Sequence, residues 1–359
     1  MKTLNSNNKK VFVAMSGGVD SSVAAAILKK QGYLVTGVFM KNWSGDDFGL
    51  QADCPWEKDQ DDVAAVCKVL DIPFMSFNFE KEYRDKVVSY FFNEFKAGRT
   101  PNPDVMCNKE IKFGLFLDKA MSMGADLIAT GHYARVRLAE TGEYELLKGV
   151  DVNKDQSYFL CELKQQQLAK TLFPVGHLPK TEVRRIAAEF KLLVSNKPDS
   201  QGICFIGEIN VAQYLRANIK IHKGEIIDAD TNKVIGEHDG IEFYTMGQRE
   251  GLNLGGAKEP YFVVGKDKGS NQLFVAQGKQ NPKLFNNIVK FSDLHWINKQ
   301  ENVNLKNLSA VIRYRQKPEN GRLFSNYFEF DKPQRAIAEG QLLAIYEGEI
   351  LRAAAVIIN

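Results

Sequence analysis

The first group of residues in this chain that could do chemistry is the loop Ser16–Ser22, which reads SGGVDSS. It directly follows the apolar run Val11–Met15 and directly precedes an alanine-rich helical stretch. Glycines allow a tight turn, and hydroxyl and N–H groups at a helix start suit an anion. The loop fits neither the GxxxxGK[ST] nor the GxGxxG pattern. We predict that it is a surface cradle for phosphate; the alternative is a serine-capped helix after a glycine turn.

Two of the five cysteines lie in longer motifs that also suit chemistry. Cys107 belongs to TPNPDVMCNKEIKF, and Cys204 lies between glycines in DSQGICFIG, on what we expect to be a loop or short strand. We expect a helix to begin near Lys109, so that its N-terminus stabilises the Cys107 thiolate. Asp104 is a candidate acid/base, and the alternative is a turn-forming aspartate after Pro103.

The other cysteines have no such setting. Cys67 and Cys161 are expected to be small buried hydrophobes, and no motif surrounds Cys54. An odd number of widely spread cysteines favours reduced thiols over a disulfide framework. No CxxC or His-x-His spacing occurs, so we predict no metal ligands.

Length and composition limit the class of protein. The chain has 359 residues, of which 44% are hydrophobic and 25% charged, as in globular proteins of two or three domains. The longest apolar runs, Val23–Leu28 and Ala353–Ile358, are far shorter than the roughly twenty residues of a membrane span. The polar first ten residues lack the apolar stretch of a secretory signal. We therefore expect a cytoplasmic protein without a membrane partner.

The elements that must position these motifs follow from the hydrophobic pattern. Strand and helix patterns alternate over residues 1–207, which predicts an α/β domain with a parallel sheet and helices on both faces. Short segments between Gly, Asn, Asp and Pro then predict two small β domains, 208–282 and 283–359, the last a β-barrel. Ligands bind at the carboxyl ends of parallel strands, where the loop lies.

Charge is nearly balanced over the whole chain, with a net value of +3. Only residues 283–359 are distinctly basic, with 11 basic against 8 acidic residues. Any nucleic-acid binding is therefore expected to use a local patch. Arg313-Tyr314-Arg315 lies in this region, and such side chains bind phosphate and stack on unpaired bases. A solvated strand face is the alternative.

Several motifs occur together and in order from about residue 10 to the C-terminus. SGGVDSS alone resembles the loop of the pyrophosphate-loop ATP pyrophosphatases. With the Cys107 motif, TGHYAR (Thr130–Arg135), KDQSYFL (Lys154–Leu160), GICFIG and YTMGQREGL (Tyr244–Leu252), the chain resembles the tRNA-specific 2-thiouridylases, which thiolate the wobble uridine. One small departure from the pattern of that family is Gln201, at a position where threonine is equally expected.

The resemblance implies an adenine-nucleotide alpha-hydrolase-like fold and ATP as co-substrate, with Mg²⁺ as its usual companion. ATP would adenylate the uridine O2 and release pyrophosphate. Cys204 would carry a persulfide, and Cys107 would be the nucleophile that resolves or activates it, with a Cys107–Cys204 disulfide or free sulfide as the product. The implied ATP-binding residues are Ala14, Met15, Ser16, Gly17, Gly18, Val19, Asp20, Ser21, Ser22, Met40 and Gly131.

The implied partners are tRNA, with the isoacceptors for Lys, Glu and Gln expected, and a persulfide donor that is either a sulfur-relay protein or a cysteine desulfurase. The implied tRNA-binding residues are Asn102, Pro103, Asp104, His132, Lys154, Asp155, Gln156, Arg313, Tyr314 and Gln341.

Two other functions are compatible with parts of the sequence. An amide-forming synthetase of the same loop class would need an ammonia source, and it would leave the two motif cysteines unused. A non-catalytic RNA-binding module on the β domains would leave the phosphate loop unexplained. Release of AMP distinguishes the three functions. An RNA-binding module releases none, a small-molecule synthetase needs no tRNA for it, and a thiouridylase needs both tRNA and a sulfur source.

Overall fold

A computed structural model describes residues 8–44, 56–198, 211–256 and 258–358. Cys54, Gln201 and Cys204 lie outside these ranges. The described strands before residue 199 are Lys10–Met15 (β1), Leu34–Lys41 (β2), Phe74–Asn78 (β3), Leu127–Thr130 (β4), Ala134–Leu138 (β5), Tyr144–Lys148 (β6) and Thr171–Leu172 (β7).

Strands β1, β2, β3, β4 and β7 form the parallel sheet that the sequence predicts, in the order β3-β2-β1-β4-β7. Successive β1 side chains enter different cores. Val11 and Val13 belong to one hydrophobic cluster, and Phe12 and Ala14 to another on the opposite face. Both faces are therefore covered, which confirms the α/β class and explains why β1 is apolar throughout.

Helices cover both faces of this sheet. Those described are Val19–Lys30 (α1), Trp56–Val69 (α2), Glu80–Tyr83 (α3), Ser89–Lys96 (α4), Pro103–Cys107 (α5), Phe116–Ser122 (α6), Gln165–Leu168 (α7) and Lys180–Glu189 (α8). The π-helical turns Arg84–Val88 and Asn108–Leu115 join α3 to α4 and α5 to α6.

The helix that carries Cys107 begins earlier than the sequence predicts. It starts at Pro103 and not near Lys109, because the Asn102 side chain accepts a hydrogen bond from the Val105 N–H (3.2 Å) and proline suits the first helical position. Cys107 therefore lies inside a continuous helix, with a buried thiol. The expected stabilisation of its thiolate by a helix N-terminus is wrong, because that effect is confined to the first turn.

The region after residue 210 opens with a helix that the sequence analysis missed, Val211–Asn218 (α9). The Tyr214 ring packs against Phe92 with a centroid distance of 5.5 Å. The strands that follow are Gly224–Asp228 (β8), Lys233–His238 (β9), Tyr261–Asp267 (β10) and Gln272–Gln277 (β11), in the order β10-β11-β8-β9.

The last part of the chain is the predicted barrel. Its described strands are Phe285–Trp296 (β12), Leu308–Val311 (β13), Glu319–Leu323 (β14), Tyr327–Arg335 (β15), Leu342–Glu347 (β16) and Ile350–Ile358 (β17). Strand β12 pairs with both β15 and β17, so these six described strands close on themselves. Their inward side chains, among them Phe328, Phe330 and Ile345, form a separate core.

The hairpin β5–β6 joins the α/β domain to this barrel. Strand β6 pairs antiparallel with β17, so the hairpin extends the barrel sheet although it lies about two hundred residues earlier in sequence. The Arg352 guanidinium donates to Glu145 (3.0 Å), Asn298 (3.2 Å) and Glu347 (2.8 Å), with only 8% of its side chain exposed. This buried network fixes the barrel against the α/β domain.

We expect Arg352→Met to lower the free energy of unfolding by about 3 kcal/mol, because Glu145 loses a partner in a buried position. Urea denaturation of the whole chain measures this. Arg137→Met is the matched control, since Arg137 also contacts Glu145 but is more than half exposed. A loss from Arg352→Met no larger than that of the control would contradict the role given to the network.

Candidate active site

The loop between β1 and α1 has the backbone of an anion cradle. Gly17 has φ +74°, and a Cβ there would lie 2.7 Å from the Asp59 carbonyl oxygen. The Ser22 hydroxyl donates to the Gly18 carbonyl (2.8 Å), and the Ser16 N–H donates to Ser21 Oγ (3.3 Å). These contacts fix a tight turn at the start of α1, which fits a phosphate group.

The loop is less exposed than the predicted surface cradle. Ser16 is exposed, whereas Val19, Ser21 and Ser22 are buried. Ala14 and Met15 are also buried in the sheet, so they support the loop from beneath. The predicted phosphate site is therefore partly built into the core.

Gly131 lies against this loop because β4 neighbours β1. A Cβ at Gly131 would lie 2.5 Å from the Ser21 nitrogen and 2.7 Å from the Asp20 carbonyl carbon, so only glycine fits. Met40, near the carboxyl end of β2, is half-buried and packs on the adjoining core. The structure thus brings Gly131 to the loop, as predicted from the strand ends.

Asp20 is held by two residues that the sequence analysis missed. Lys180, the first residue of α8, places its ammonium 2.7 and 2.9 Å from the two carboxylate oxygens, and the Tyr133 hydroxyl donates to Oδ1 (2.8 Å). The side chain of Lys180 is only 11% exposed. No sequence motif indicated the Asp20–Lys180 ion pair, because these two residues are 160 positions apart.

A second group of polar side chains surrounds the helix of Cys107. The His132 Nδ1 lies 2.7 Å from the Thr130 hydroxyl, and its ring packs against Phe113 at 5.9 Å between centroids. Burial and the Lys112 charge hold the pKa of His132 well below its ordinary value, which makes the imidazole neutral.

The pKa of Asp104 is shifted in the opposite direction from that of His132. Burial raises the pKa of its carboxyl group, and the nearby Lys112 ammonium opposes that shift. Lys112 thus acts on both His132 and Asp104, which places all three side chains in one local field. Such a group can hold or move a proton beside Cys107.

Several residues of the predicted tRNA set already make internal contacts. The Asp155 carboxylate accepts from the backbone N–H groups of Gly149 (2.9 Å) and Ser157 (3.1 Å). Gln156 exchanges two hydrogen bonds with the Tyr133 backbone. The Gln341 amide donates to the carbonyl oxygens of Thr100 and Pro101.

The remaining predicted tRNA residues lie in different settings. Asn102 and Pro103 are buried at the helix start, and Lys154 is half-buried. Arg313 is exposed and donates to the Arg335 carbonyl oxygen.

Tyr314 links the barrel to the helix of Cys107. Its ring lies 4.3 Å from that of Phe159, whose carbonyl oxygen accepts from Asn108 Nδ2 (3.0 Å). A barrel residue therefore comes within one packed side chain of the residue after Cys107.

Two other described cysteines are buried and inert. Burial raises the pKa of the Cys67 thiol to about 11, and it raises that of Cys161 well above its ordinary value. This setting agrees with their prediction as small hydrophobes.

The described part of the chain contains no group of three or more His, Cys, Asp or Glu side chains placed to hold a metal ion. It also contains no helix of the length and apolarity that a membrane crossing requires.

Three family models match successive parts of the chain. They are the tRNA methyl transferase HUP domain over residues 9–208, the tRNA methyl transferase PRC-barrel domain over 212–277 and the aminomethyltransferase beta-barrel domain over 286–357. Among solved structures, a 4-thiouridine synthetase–RNA complex with bound ATP has a TM-score of 0.36 and 20% identity, covering 56% of this chain and 46% of that one.

Curated relatives cover nearly the whole chain. The tRNA-specific 2-thiouridylase MnmA of Oceanobacillus iheyensis is 51% identical, over 96% of this chain and 94% of the relative. The protein of that name from Staphylococcus aureus is 46% identical, over 99% and 96%. The chain belongs to the tRNA-specific 2-thiouridylase family. It is thus an enzyme of the tRNA sulfurtransferase class, which confirms the resemblance of its motifs.

Asp20 and Lys180 give this member of the 2-thiouridylase family a testable ion pair. We expect Asp20→Ala to lower the free energy of unfolding by about 2 kcal/mol, because it leaves the Lys180 ammonium without its carboxylate in a largely buried position. Adenylation should be lost as well. The double variant Asp20→Ala/Lys180→Met should regain stability without regaining adenylation.

Urea denaturation and AMP formation measure the two effects separately. Ser16→Ala is the control for stability, since Ser16 is exposed, and its unfolding free energy should change by less than about 0.5 kcal/mol. An Asp20→Ala chain as stable as the wild type would contradict the structural role of the pair.

Asp104 predicts a pH dependence of stability. Its folded pKa lies above the ordinary value of 3.8, so the folded state binds the proton more tightly than the unfolded state. The contribution of Asp104 to stability is therefore fully present below 3.8 and is lost as pH rises through the folded pKa. Asp104→Asn removes this decline, so we expect the variant to be more stable than the wild type at neutral pH but inactive. Unfolding free energies are measured for both proteins over this pH range, and the assignment is contradicted if they change with pH in the same way.

Proposed function

We propose that this enzyme replaces the C2 oxygen of the wobble uridine of tRNA with sulfur and uses ATP to activate that oxygen. The observation that carries the proposal is the turn after β4: Gly131 lies against the phosphate loop, and the ring of the next residue, His132, packs on Phe113 in the continuous helix of Asp104 and Cys107. This turn connects the loop, through a neutral imidazole, to a helix that carries a buried thiol and a carboxyl group of raised pKa.

The loop would hold ATP in the first half-reaction. A Cβ at Gly17 or Gly131 would overlap neighbouring backbone, so glycine at both positions allows the close packing that fixes the loop for a phosphate. The uridine O2 attacks the α-phosphorus, the bond to the β-phosphate oxygen breaks, and pyrophosphate leaves. Lys180 and Tyr133 orient Asp20 at the edge of this site.

Mg²⁺ would accompany the ATP phosphates, with their oxygens as its main ligands. Asp20 is the carboxylate that the loop itself supplies. It is already engaged by Lys180, so the protein's own contribution here is the position of the loop.

The second half-reaction would use both motif cysteines. The terminal sulfur of a Cys204 persulfide bonds to C2, and the C2–O bond breaks with AMP as the leaving group. The Cys107 thiolate then attacks the Cys204 sulfur, the sulfur–sulfur bond breaks, and 2-thiouridine and a Cys107–Cys204 disulfide result. A thiol reductant restores the enzyme. In the alternative order, Cys107 first releases sulfide from the persulfide, and that sulfide attacks C2.

Asp104 and His132 would manage the proton of Cys107 during this step. The thiol must lose its proton to become a nucleophile, and a carboxyl group of raised pKa accepts a proton more readily than an ordinary aspartate. Lys112 favours the charged carboxylate and, through the same charge, keeps His132 neutral.

The proposed partners are tRNA, with the Lys, Glu and Gln isoacceptors expected, and a protein that donates persulfide. Arg313 and Tyr314, on the barrel side of the site, are the residues proposed to contact RNA phosphate and bases. We propose a cytoplasmic location for the reaction, as the sequence analysis expects.

Incubation of the protein with tRNA, ATP and a persulfide or sulfide source tests the proposal. We expect AMP and pyrophosphate to form, and 2-thiouridine to appear by mass spectrometry at the wobble position. The first family model carries a methyltransferase description, and the mass of the modified nucleoside separates a thiolated from a methylated base. A methylated product, or AMP formation that does not depend on tRNA, would overturn the proposal.

Cys107→Ser and Cys204→Ser should each abolish thiolation with a persulfide donor, and the double variant should be no worse than either. Serine carries no persulfide and is a far weaker nucleophile than thiolate. Adenylation needs neither cysteine, so labelled AMP should still attach to tRNA in both variants.

Cys67→Ala and Cys161→Ala are the matched controls, since both thiols are buried and have raised pKa values. They should keep thiolation within about threefold, because only packing changes. Normal thiolation by Cys204→Ser with a persulfide donor would remove Cys204 from the carrier role.

A further inference from the structure

The backbone from Gly98 to Asn102 leads from α4 to the helix that carries Cys107, and we call it the approach segment. The central β-rich domain holds it from one side. Lys266, on β10, donates from Nζ to the Gly98 carbonyl oxygen (3.0 Å), and the Thr100 hydroxyl donates to Thr245 Oγ1 (3.2 Å).

The barrel domain holds the same segment from another side. The Thr100 N–H donates to the Glu339 carbonyl oxygen (2.7 Å), and Gln341 Nε2 donates to the carbonyl oxygens of Thr100 (3.0 Å) and Pro101 (2.8 Å). Gly340, with φ +83°, lets the two backbones meet, because a Cβ there would lie 3.0 Å from the Thr100 carbonyl oxygen. All three parts of the chain therefore converge on the approach segment.

The last residue of the segment transmits this position to the site. Asn102 accepts from the Val105 N–H through its side chain and so fixes the first turn of the helix. Its Nδ2 faces Gln341 Oε1 at 3.5 Å. Asp104 and Cys107 lie in that same helix, so a shift of the segment moves both side chains.

Lys266 is a costly residue for a junction between domains. Burial lowers its pKa to about 8, while the neighbouring Glu339 and Glu242 favour its charged form. An apolar side chain would avoid this cost of burial. What the ammonium adds is a directional hydrogen bond to the Gly98 carbonyl oxygen.

We propose that Lys266 is a positioning residue for sulfur transfer, and that it and Gln341 fix the approach segment from two domains so that Asp104 and Cys107 meet the target base correctly. The inference rests on the proposed function. It gives the central domain a part in the reaction although that domain supplies none of the proposed reacting groups. It also gives Gln341 an internal role beside the RNA contact that the resemblance implies.

Lys266→Met tests the proposal in the full-length enzyme with tRNA, ATP and a persulfide donor. We expect kcat for thiolation to fall about tenfold or more, since small misplacements of reacting groups carry large rate penalties. The KM for ATP should stay within about twofold, because the hydrogen bond of Lys266 is to Gly98, outside the phosphate loop. Lys268→Met, an exposed lysine on the same domain, is the matched control and should leave kcat unchanged.

A second readout does not depend on turnover. In a chain whose other four cysteines are replaced by alanine, the alkylation rate of Cys107 by iodoacetamide reports its exposure and setting directly. Lys266→Met should raise this rate severalfold, and Lys268→Met should not. Circular dichroism and urea denaturation show whether each variant is folded.

Thr245→Val and Gln341→Leu keep the test decisive if Lys266→Met fails to fold. Each removes one contact to the segment, from the central domain and the barrel respectively. Their combined effect on Cys107 alkylation should depart from the sum of the single effects, because they act on one short backbone.

Two results separate this inference from the proposed function. Wild-type kcat and wild-type Cys107 alkylation in folded Lys266→Met would overturn the positioning role while thiolation stands. Absence of thiolation by the wild type would overturn the proposed function, and the alkylation rates would still decide whether Lys266 positions Cys107.

Discussion

The close approach of β4 to the first turn of α1 is the constraint on which the site depends. Gly131 makes it possible, because any Cβ at this position would overlap the backbone of Asp20 and Ser21. The two residues after Gly131 contact different parts of the site. His132 turns toward the helix of Cys107, and Tyr133 reaches back to the Asp20 carboxylate. One short turn thus joins the phosphate cradle to the sulfur chemistry.

Electrostatics within the site follow from the same closeness. Asp20 would repel phosphate if it stood alone, and Lys180 balances its charge from the start of α8. On the other side, Lys112 acts on Asp104 and His132 together, so that one cation favours the carboxylate and the neutral imidazole. Each half of the site therefore has one lysine near its aspartate, and both lysines come from helical segments packed beside the sheet.

The two β domains are built into the α/β domain and are not appended to it. The hairpin β5–β6 extends the barrel sheet, and the Arg352 network ties barrel to hairpin in a buried position. Gly340 brings the barrel backbone against Thr100. Groups that would bind RNA on the barrel are thereby held at a fixed distance from the helix of Cys107.

The sequence by itself determined the parts of this protein that depend on local pattern. Alternating strand and helix patterns predicted the parallel sheet, and short segments between Gly, Asn, Asp and Pro predicted the β domains. The strand–loop–helix setting of Ser16–Ser22 placed the cradle at a strand end. The start of the Cys107 helix is an exception: the sequence analysis predicts it near Lys109, whereas Asn102 caps the helix and Pro103 takes its first position.

Only the tertiary structure decided which distant residues meet. Lys180 and Asp20 lie 160 positions apart, and Lys266 and Gly98 lie 168 apart, so no periodicity or motif could pair them. The pKa directions of Asp104 and His132 likewise depend on burial, which arises from packing. Sequence pattern fixes which backbone each segment adopts, whereas the contacts that tune charge and position arise when the sheet, the central domain and the barrel close on one another.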